Sequence, residues 1–248
     1  RISNFMSSVA ELEPMPTNQS SDALAILQND ARAQFAESIW PERTDERWRF
    51  ATLKRTSIED FTATAQVQQT VSNAPAEVHA LTIQEAFAEH PDRVTEAFRS
   101  LNGELGAETN LAKAKAAENF DGTVLIVPKG VELTEPILID RQVTGSNGLA
   151  SQFTIVIAEP QSKVTVFERL RGSEPNAVLG GTVVLAEDGA NATFALSQEL
   201  CLGSKFVHAS HATAGRDATA KLLLANFGSD WVRQEVTAKI AAPGSDLD

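Results

Sequence analysis

The feature that most constrains the fold is a sequence repeat in the second half of the chain, with a period of about 28 residues. Four similar segments start at Ala158, Ala186, Ala214 and Ala242. Each copy opens on a small or polar turn and continues with alternating residues. Equivalent positions on one face hold Val164, Ala192 and Ala220, and then Val166, Phe194 and Leu222. A fixed period with strand character indicates stacked coils that bury one another's faces.

From residue 120 onward, the apolar residues alternate with a period of two, which is typical of strands. Nine runs show it: TVLIV, PILI, FTIVIA, KVTVFE, GTVVLAE, ATFALS, KFVHA, ATAKLLLA and WVRQEVTAKI. No segment between them has the roughly ten periodic residues of a crossover helix, which excludes a doubly wound α/β sheet. We therefore predict a mainly β protein, a right-handed parallel β-helix with coils of about 28 residues. The alternative is an antiparallel sandwich whose turns are equally spaced by coincidence.

The first 119 residues show helical periodicity instead. We predict a flexible arm over residues 1–20 and a small helical domain over residues 21–119, ahead of the β-helix core at residues 120–248. In the first helix the apolar residues recur at steps of three or four, at Leu24, Leu27, Ala31, Phe35 and Ile39.

Capping signals define the later helices of this domain. Thr82 and Glu85 have the spacing of a capping box, in which the hydroxyl and the carboxylate each accept a hydrogen bond from a free backbone N–H group. Pro91 ends that helix and begins the next one. A further helix is predicted over residues 105–119.

The composition excludes several functional classes. Lys and Arg number 21 and Asp and Glu number 33, so the net charge is −12 and no nucleic-acid partner is expected. No apolar run approaches the roughly 20 residues of a membrane span, and the start of the chain lacks the apolar centre of a signal peptide. We therefore predict a cytoplasmic protein without a membrane partner. Cys201 is the only cysteine, which excludes an intrachain disulfide and a four-thiolate cluster site in this chain alone.

Three short features resemble ligand sites, and each has a simpler structural interpretation. Residues 128–130, Pro-Lys-Gly, are followed by a strand and not by the helix of a phosphate loop, so they predict a corner. Cys201 fits a buried, inert thiol better than a reactive thiolate. His208 and His211 are three residues apart, which on a strand places them on opposite faces, so they share a metal only if the chain turns between them.

Three segments carry motifs of one known family. In ERTDERWRFATLKR the matching residues are Arg43, Glu46, Trp48, Arg49, Phe50 and Leu53. In VLIVPKGVELTEPILI they are Pro128, Lys129, Gly130 and Pro136. In WVRQEV they are Arg233 and Glu235, while Gln234 replaces the usual Asn. These segments resemble the SufB/SufD family of iron–sulfur cluster assembly proteins, and the helical N-terminal block with a single cysteine favours SufD.

The resemblance implies a scaffold and not an enzyme. Family members form a cytosolic complex with SufC, an ABC-type ATPase, on which iron–sulfur clusters are assembled before transfer. This chain is therefore expected to bind SufB-like and SufC-like partners and to have no catalytic residues or metal ligands. It would hold no cofactor alone, because the cluster belongs to the complex.

The length of the chain departs from the family pattern. Members are longer, and this sequence stops within a repeat, so the resemblance implies an N-terminal half with the β-helix truncated at its C-terminal end. We expect the open end, with its unpaired backbone groups, to self-associate or to leave the last strand disordered. An ordered monomer whose own chain covers the last coil would contradict truncation.

Two other classes stay open. A carbohydrate-active β-helix enzyme of the polysaccharide lyase type would carry several carboxylates on one face, and this chain has no tyrosine for sugar stacking and no such acidic cluster. An adhesin-type solenoid would need an export signal. Trp48 and Arg49 are more simply explained by packing between the helical block and the first coil than by partner binding, and Trp231 by packing within a coil.

Overall fold

The computed structural model describes residues 19–37, 58, 61, 63–101 and 121–248. The described helices are α1 (Gln19–Glu37), α2 (Ile83–Glu89) and α3 (Pro91–Ser100). The strands are β1 (Ala63–Thr64), β2 (Gln66–Ser72), β3 (His79–Thr82), β4 (Gly122–Val127), β5 (Ile137–Thr144), β6 (Gly148–Ala158), β7 (Lys163–Gly172), β8 (Asn176–Ala186), β9 (Asn191–Leu200), β10 (Lys205–Ala214), β11 (Thr219–Asn226), β12 (Trp231–Ile240) and β13 (Asp246–Leu247).

These strands form the two walls of a β-solenoid of about four turns. Sheet A has the order β12-β10-β8-β6-β4-β3, with β1 beside β6, and sheet B has the order β13-β11-β9-β7-β5-β2. From β4 to β13 the chain alternates between the sheets, and neighbouring strands of each sheet run parallel. The predicted mainly β solenoid with a small helical N-terminal part is confirmed, and each of the nine predicted runs lies within a strand except for at most one residue at an end.

The repeat period inferred from the sequence sets the strand register where the repeat is clearest. Ala158 pairs with Ala186, and Ala186 pairs with Ala214. Ala214 then pairs with Ile240 and not with Ala242. The alignment of Ala242 with the earlier starts is therefore wrong in sheet A, because β11, with 8 residues, is two residues shorter than β7 and β9.

One corner of the solenoid is a stack of residues with positive φ. The stacked residues are Gly130 (φ 72°), Gln161 (62°), Gly189 (71°), Asp217 (53°) and Gly244 (77°). The N–H group of each of the first four donates to a carbonyl of the next coil, on Pro160, Asp188, Arg216 and Pro243 respectively, at 2.8–3.2 Å. Glycine adopts this conformation without strain, and Asp tolerates it. The corner predicted at residues 128–130 is thus confirmed as the first member of this stack, which we call the corner stack.

Apolar side chains pack in two layers. The lumen between the sheets holds one cluster, which includes Val156 and Val184 of sheet A and Phe194 of sheet B. The second cluster lies on the outer face of sheet A, where Phe98 of α3 meets Phe153 edge to face at 5.5 Å. Strands β4, β6, β8 and β10 of sheet A are therefore buried on both faces. In sheet B, β7 alternates between the lumen and the outside.

The helical block also contains strands that the sequence did not predict. β2 pairs antiparallel with β5, and β3 pairs antiparallel with β4, so both sheets are extended at the first coil. Only Val67 and Val71 of β2 pack against the lumen cluster. The other residues of this strand are polar and exposed, so the alternation of apolar and polar residues is too weak to predict the strand. The capping box of Thr82 and Glu85 is confirmed at the start of α2. Residues 1–18 and the predicted helix at 105–119 lie outside the described residues, and the domain boundary at residue 120 stays a prediction.

Candidate functional site

The proline-lysine-glycine corner and Pro136 have structural roles. Val131 donates its N–H to the carbonyl of Pro128 at 3.1 Å, which closes the turn. The N–H of Lys129 donates to Glu159 at 3.0 Å, and its side chain lies at the exposed corner. Pro136 precedes β5 directly, and its carbonyl accepts from Asn73 at 3.3 Å. These residues position the first coil and form no phosphate loop, because a strand follows the corner and not a helix.

Cys201 lies one residue beyond β9, in a turn and not within a strand. Its N–H donates to the carbonyl of Gly172 at 2.9 Å, and its Sγ lies 3.5 Å from the hydroxyl of Ser204. The side chain is half-buried. Among the described residues it belongs to no group of three metal-ligating side chains. A thiolate role for Cys201 stays a prediction.

His208 and His211 lie on opposite faces of β10, as the spacing predicts. His208 points into the lumen, where its Nε2 is 3.0 Å from the hydroxyl of Thr182. His211 lies on the outer face, where its two ring nitrogens are 2.8 and 2.9 Å from the hydroxyls of Thr237 and Thr213. The two imidazoles therefore do not share a metal ion.

The buried His208 gives the fold a pH dependence. Burial, and then the charge of Arg141, lower the pKa of His208 from its ordinary 6.5 to about 3. As the pH falls, the imidazole of His208 is protonated at a higher pH in the unfolded chain than in the folded chain. The stability contributed by the neutral imidazole is therefore fully present above pH 6.5 and is lost as the pH falls toward 3. We expect the free energy of unfolding to fall by about 2 kcal/mol between pH 7 and pH 5, at roughly 1.4 kcal/mol per unit.

Urea unfolding at the two pH values measures this loss. The variant His208→Gln should lose less than the native chain over the same interval. Equal losses in the native chain and in His208→Gln would show that His208 does not determine the pH dependence.

Arg141 and Glu168 form an ion pair inside the lumen. Their side chains are 1% and 3% exposed, and Nη1 of Arg141 lies 2.5 Å from Oε1 of Glu168. The guanidinium also donates to Gln69, Thr154, Thr123 and the carbonyl of Phe153 at 2.9–3.1 Å. All five of its N–H donors thus have acceptors. Since Thr123 and Thr154 belong to sheet A and Gln69 and Glu168 to sheet B, this cluster joins both walls across the lumen.

Arg93 of α3 joins the helices to two successive coils. Its two terminal nitrogens contact Glu159 at 2.5 Å and Glu187 at 2.6 Å. Burial acts to raise the pKa of Glu159, but the hydrogen bonds from Arg93 and from the Lys129 amide outweigh it and hold the pKa below its usual value. Glu159 and Glu187 occupy equivalent corner positions, because each directly follows one of the paired residues Ala158 and Ala186. One guanidinium thus holds the same corner position of two successive coils.

A cleft of about 690 Å³ lies beside Arg93, between α3 and the outer face of sheet A. Three cationic side chains line it, those of Arg93, Arg99 and Lys239. Three carboxylates also line it, those of Glu96, Glu187 and Asp188. Burial, and then the charge of Lys239, lower the pKa of His211 on its wall. The charges balance, so the cleft does not select a strongly anionic ligand.

Along the outer face of sheet B runs an apolar ladder that no described element covers. Its members pair from strand to strand in the order Leu138, Phe167, Ala195 and Leu223. Leu138, Phe167 and Leu223 are large and exposed. We call these four residues the sheet B ladder. Ion pairs between Arg171 and Asp140 and between Arg169 and Glu199 flank it. An apolar patch with a charged rim is the composition of a protein interface.

The motif on β12 lies at the last described strand of sheet A. Arg233 and Glu235 form an ion pair with each other. Gln234 accepts a hydrogen bond from Asn226 at 2.8 Å. Trp231 packs against the outer cluster, as predicted. The motif at Arg43, Glu46, Trp48 and Arg49 lies outside the described residues, and a binding role for either motif stays a prediction.

Sequence reasoning missed the lumen ion pair and the Arg93 bridge. Arg141 is in phase with Ile139 and Val143, and Glu168 with Val166, in runs whose inward positions are otherwise apolar. A charged residue at an inward position was the signal in the sequence that could have predicted a buried ion pair. No local signal pointed to Arg93, which is 66 and 94 residues from its partners.

The comparisons with known proteins agree with this architecture. Residues 141–248 match the family model described as SUF system FeS cluster assembly, SufBD core domain. The matched range runs from within β5 to the end of the chain and contains the lumen ion pair. The match supports the SufB/SufD family and a role in SUF iron–sulfur cluster assembly. Because the model carries both names, it does not distinguish SufD from SufB.

A search of curated proteins found no match for the chain. None of the described helices is long and apolar enough to cross a membrane.

Proposed function

We propose that this chain is a SufD-like scaffold subunit of SUF iron–sulfur cluster assembly. The observation that carries the proposal is the agreement between the stacked coils and the SufBD core match over residues 141–248. The single cysteine and the helical N-terminal block support SufD over SufB, because a cluster held by one chain usually needs about four thiolates. The cluster is then the cargo of the complex and is not bound by this chain alone.

In this proposal the chain works by holding its partners in place. The lumen ion pair and the corner stack make the solenoid a rigid support. The sheet B ladder offers an exposed apolar surface for a SufB-like partner, while a SufC-like ATPase supplies ATP hydrolysis in a cytoplasmic complex. The chain itself has no catalytic role.

The alternative, a carbohydrate-active enzyme, needs carboxylates that are free to exchange protons. Glu187 of the cleft and the neighbouring Glu159 are both paired with Arg93. An ion-paired carboxylate is a poor general acid, because the guanidinium stabilises its charged form. This pairing favours the scaffold, and an assay on polyuronates should show no lyase activity.

Co-expression with the SufB-like and SufC-like proteins of the same organism tests the proposal. An affinity tag on this chain should recover both partners in one complex on size-exclusion chromatography. Recovery of neither partner from a folded, soluble chain would refute the scaffold function.

Substitutions on the sheet B ladder test the contact surface. Phe167→Glu and Leu223→Glu should each reduce recovery of the SufB-like partner at least about tenfold, because a buried, unpaired charge costs several kcal/mol at an interface. Thr70→Glu is the control, at an exposed position of the same sheet on β2. If the ladder variants recover the partner as well as Thr70→Glu does, the contact lies elsewhere. Self-association stays a prediction, measured by light scattering of the chain alone.

A further inference from the structure

Three side chains near the start of the solenoid bring metal-ligating atoms together. His79, Glu89 and His90 each place one ligand atom within 4.8 Å of the other two. The chain has four histidines, and two of them meet here. The cluster is independent of the SufBD core match, which begins at residue 141.

The chain path explains why these residues meet. His79 is the first residue of β3, and Glu89 is the last residue of α2, which follows β3 directly. A strand of four residues spans about 13 Å and a helix of seven residues about 10 Å. Because the helix runs back along the strand, its end returns to the start of β3. The juxtaposition is therefore set by the matched lengths of the two elements.

His90 is held firmly in this arrangement. Its N–H donates to the carbonyl of Ala86 at 2.7 Å, and its own carbonyl accepts from Val94 at 3.1 Å. Pro91 follows it and restricts the backbone further. Its ring lies perpendicular to that of His79, with ring centres 5.7 Å apart. The backbone of His90 is thus fixed before any ligand binds.

One atom of the cluster lacks a partner. The Nε2 atom of His90 is buried and has no hydrogen-bond partner among the described residues. The nearest carboxylate oxygen is Oε2 of Glu89, at 4.0 Å, which is too far for a hydrogen bond. A buried nitrogen without a partner is unfavourable. In tetrahedral coordination, two bonds of about 2.0–2.2 Å place their ligand atoms about 3.4 Å apart, so a small rotation of the Glu89 side chain lets both groups reach one metal. A metal between them would therefore satisfy the nitrogen.

We propose that His79, Glu89 and His90 form a binding site for a divalent first-row transition ion, for which Zn²⁺ is the best match. Two imidazole nitrogens and one carboxylate oxygen are a ligand set that Zn²⁺ accepts, with a fourth position open to water or another ligand. His79 and Glu89 are exposed, so their side chains are free to close the remaining distance by rotation. The bound ion joins the start of β3 to the end of α2.

Calorimetry with Zn²⁺ and visible spectroscopy with Co²⁺, both on the tag-free chain, test this site. We expect one ion per chain and Co²⁺ bands typical of tetrahedral coordination. The variants His79→Gln, Glu89→Gln and His90→Gln should each bind the ion at least about tenfold more weakly. Removing a group that only hydrogen-bonds to a metal ligand already lowers metal affinity by about this factor, and a direct ligand should matter at least as much. Glu77→Gln, an exposed carboxylate outside the cluster, should bind like the native chain.

Two outcomes would overturn the site. One is the absence of stoichiometric Zn²⁺ binding to the native chain, which needs no variant and is decisive by itself. The other is unchanged affinity in the double variant His79→Gln/His90→Gln, with an unchanged far-UV circular dichroism spectrum.

Discussion

Replacing Arg141 by methionine is expected to lower the free energy of unfolding by about 3–5 kcal/mol, the usual cost of removing one partner from a buried ion pair. The substitution leaves the Glu168 carboxylate in the lumen without its cation, and it also removes the donors to Thr123, Thr154 and the Phe153 carbonyl. Chemical denaturation followed by circular dichroism measures the loss.

Two companion variants sharpen this test. Arg171→Met removes a matched guanidinium from the outside of sheet B, where it pairs with Asp140, and should cost about 1 kcal/mol or less. The double variant Arg141→Met/Glu168→Leu should be more stable than Arg141→Met, because no unpaired charge stays buried. If Arg141→Met costs no more than Arg171→Met, the lumen pair is not a major stabilising element.

Replacing Gly180 by alanine is expected to destabilise the chain by about 4–5 kcal/mol, the upper end for a single substitution. Gly180 lies in β8, between Gln152 of β6 and His208 of β10. A Cβ atom at Gly180 would lie 1.6 Å from the carbonyl oxygen of Gln152. Since that oxygen belongs to the backbone of the adjacent strand, relief requires the sheet itself to move.

Gly130→Ala is the control for this substitution. Nothing lies within 4 Å of a Cβ atom there, so its cost is confined to the positive φ, about 1–2 kcal/mol. Urea unfolding of both variants measures the difference. Equal stability of the two variants would contradict a steric role for Gly180.

The coils were predictable because their signal is local and repeated. Alternation along β7, for instance, places Val164, Val166 and Leu170 inward, and the same pattern recurs one period later in β9. A strand such as β2 carries little of this signal, because most of its residues are polar. Its place in sheet B depends on β5, which lies far along the chain.

The candidate sites were less predictable, for a different physical reason. The bridge from Arg93 to Glu159 and Glu187 depends on how α3 lies against the coils. The cluster of His79, Glu89 and His90 depends on α2 running back along β3. No spacing along the chain encodes that packing. Motif resemblance pointed to the family whose model matches residues 141–248, whereas the contacts between helices and coils required coordinates.

The corner stack has a consequence for how such a chain can change during evolution. The interval from Gly130 to Gln161, its first two members, is longer than the interval from Asp217 to Gly244, its last two. The corner hydrogen bonds nevertheless recur in each coil. Each corner therefore restores the stacking of one coil on the next. An insertion or deletion in one coil then does not change the register of the following coil. Related chains are expected to differ in coil length between corners while keeping, at each corner, a residue with positive φ.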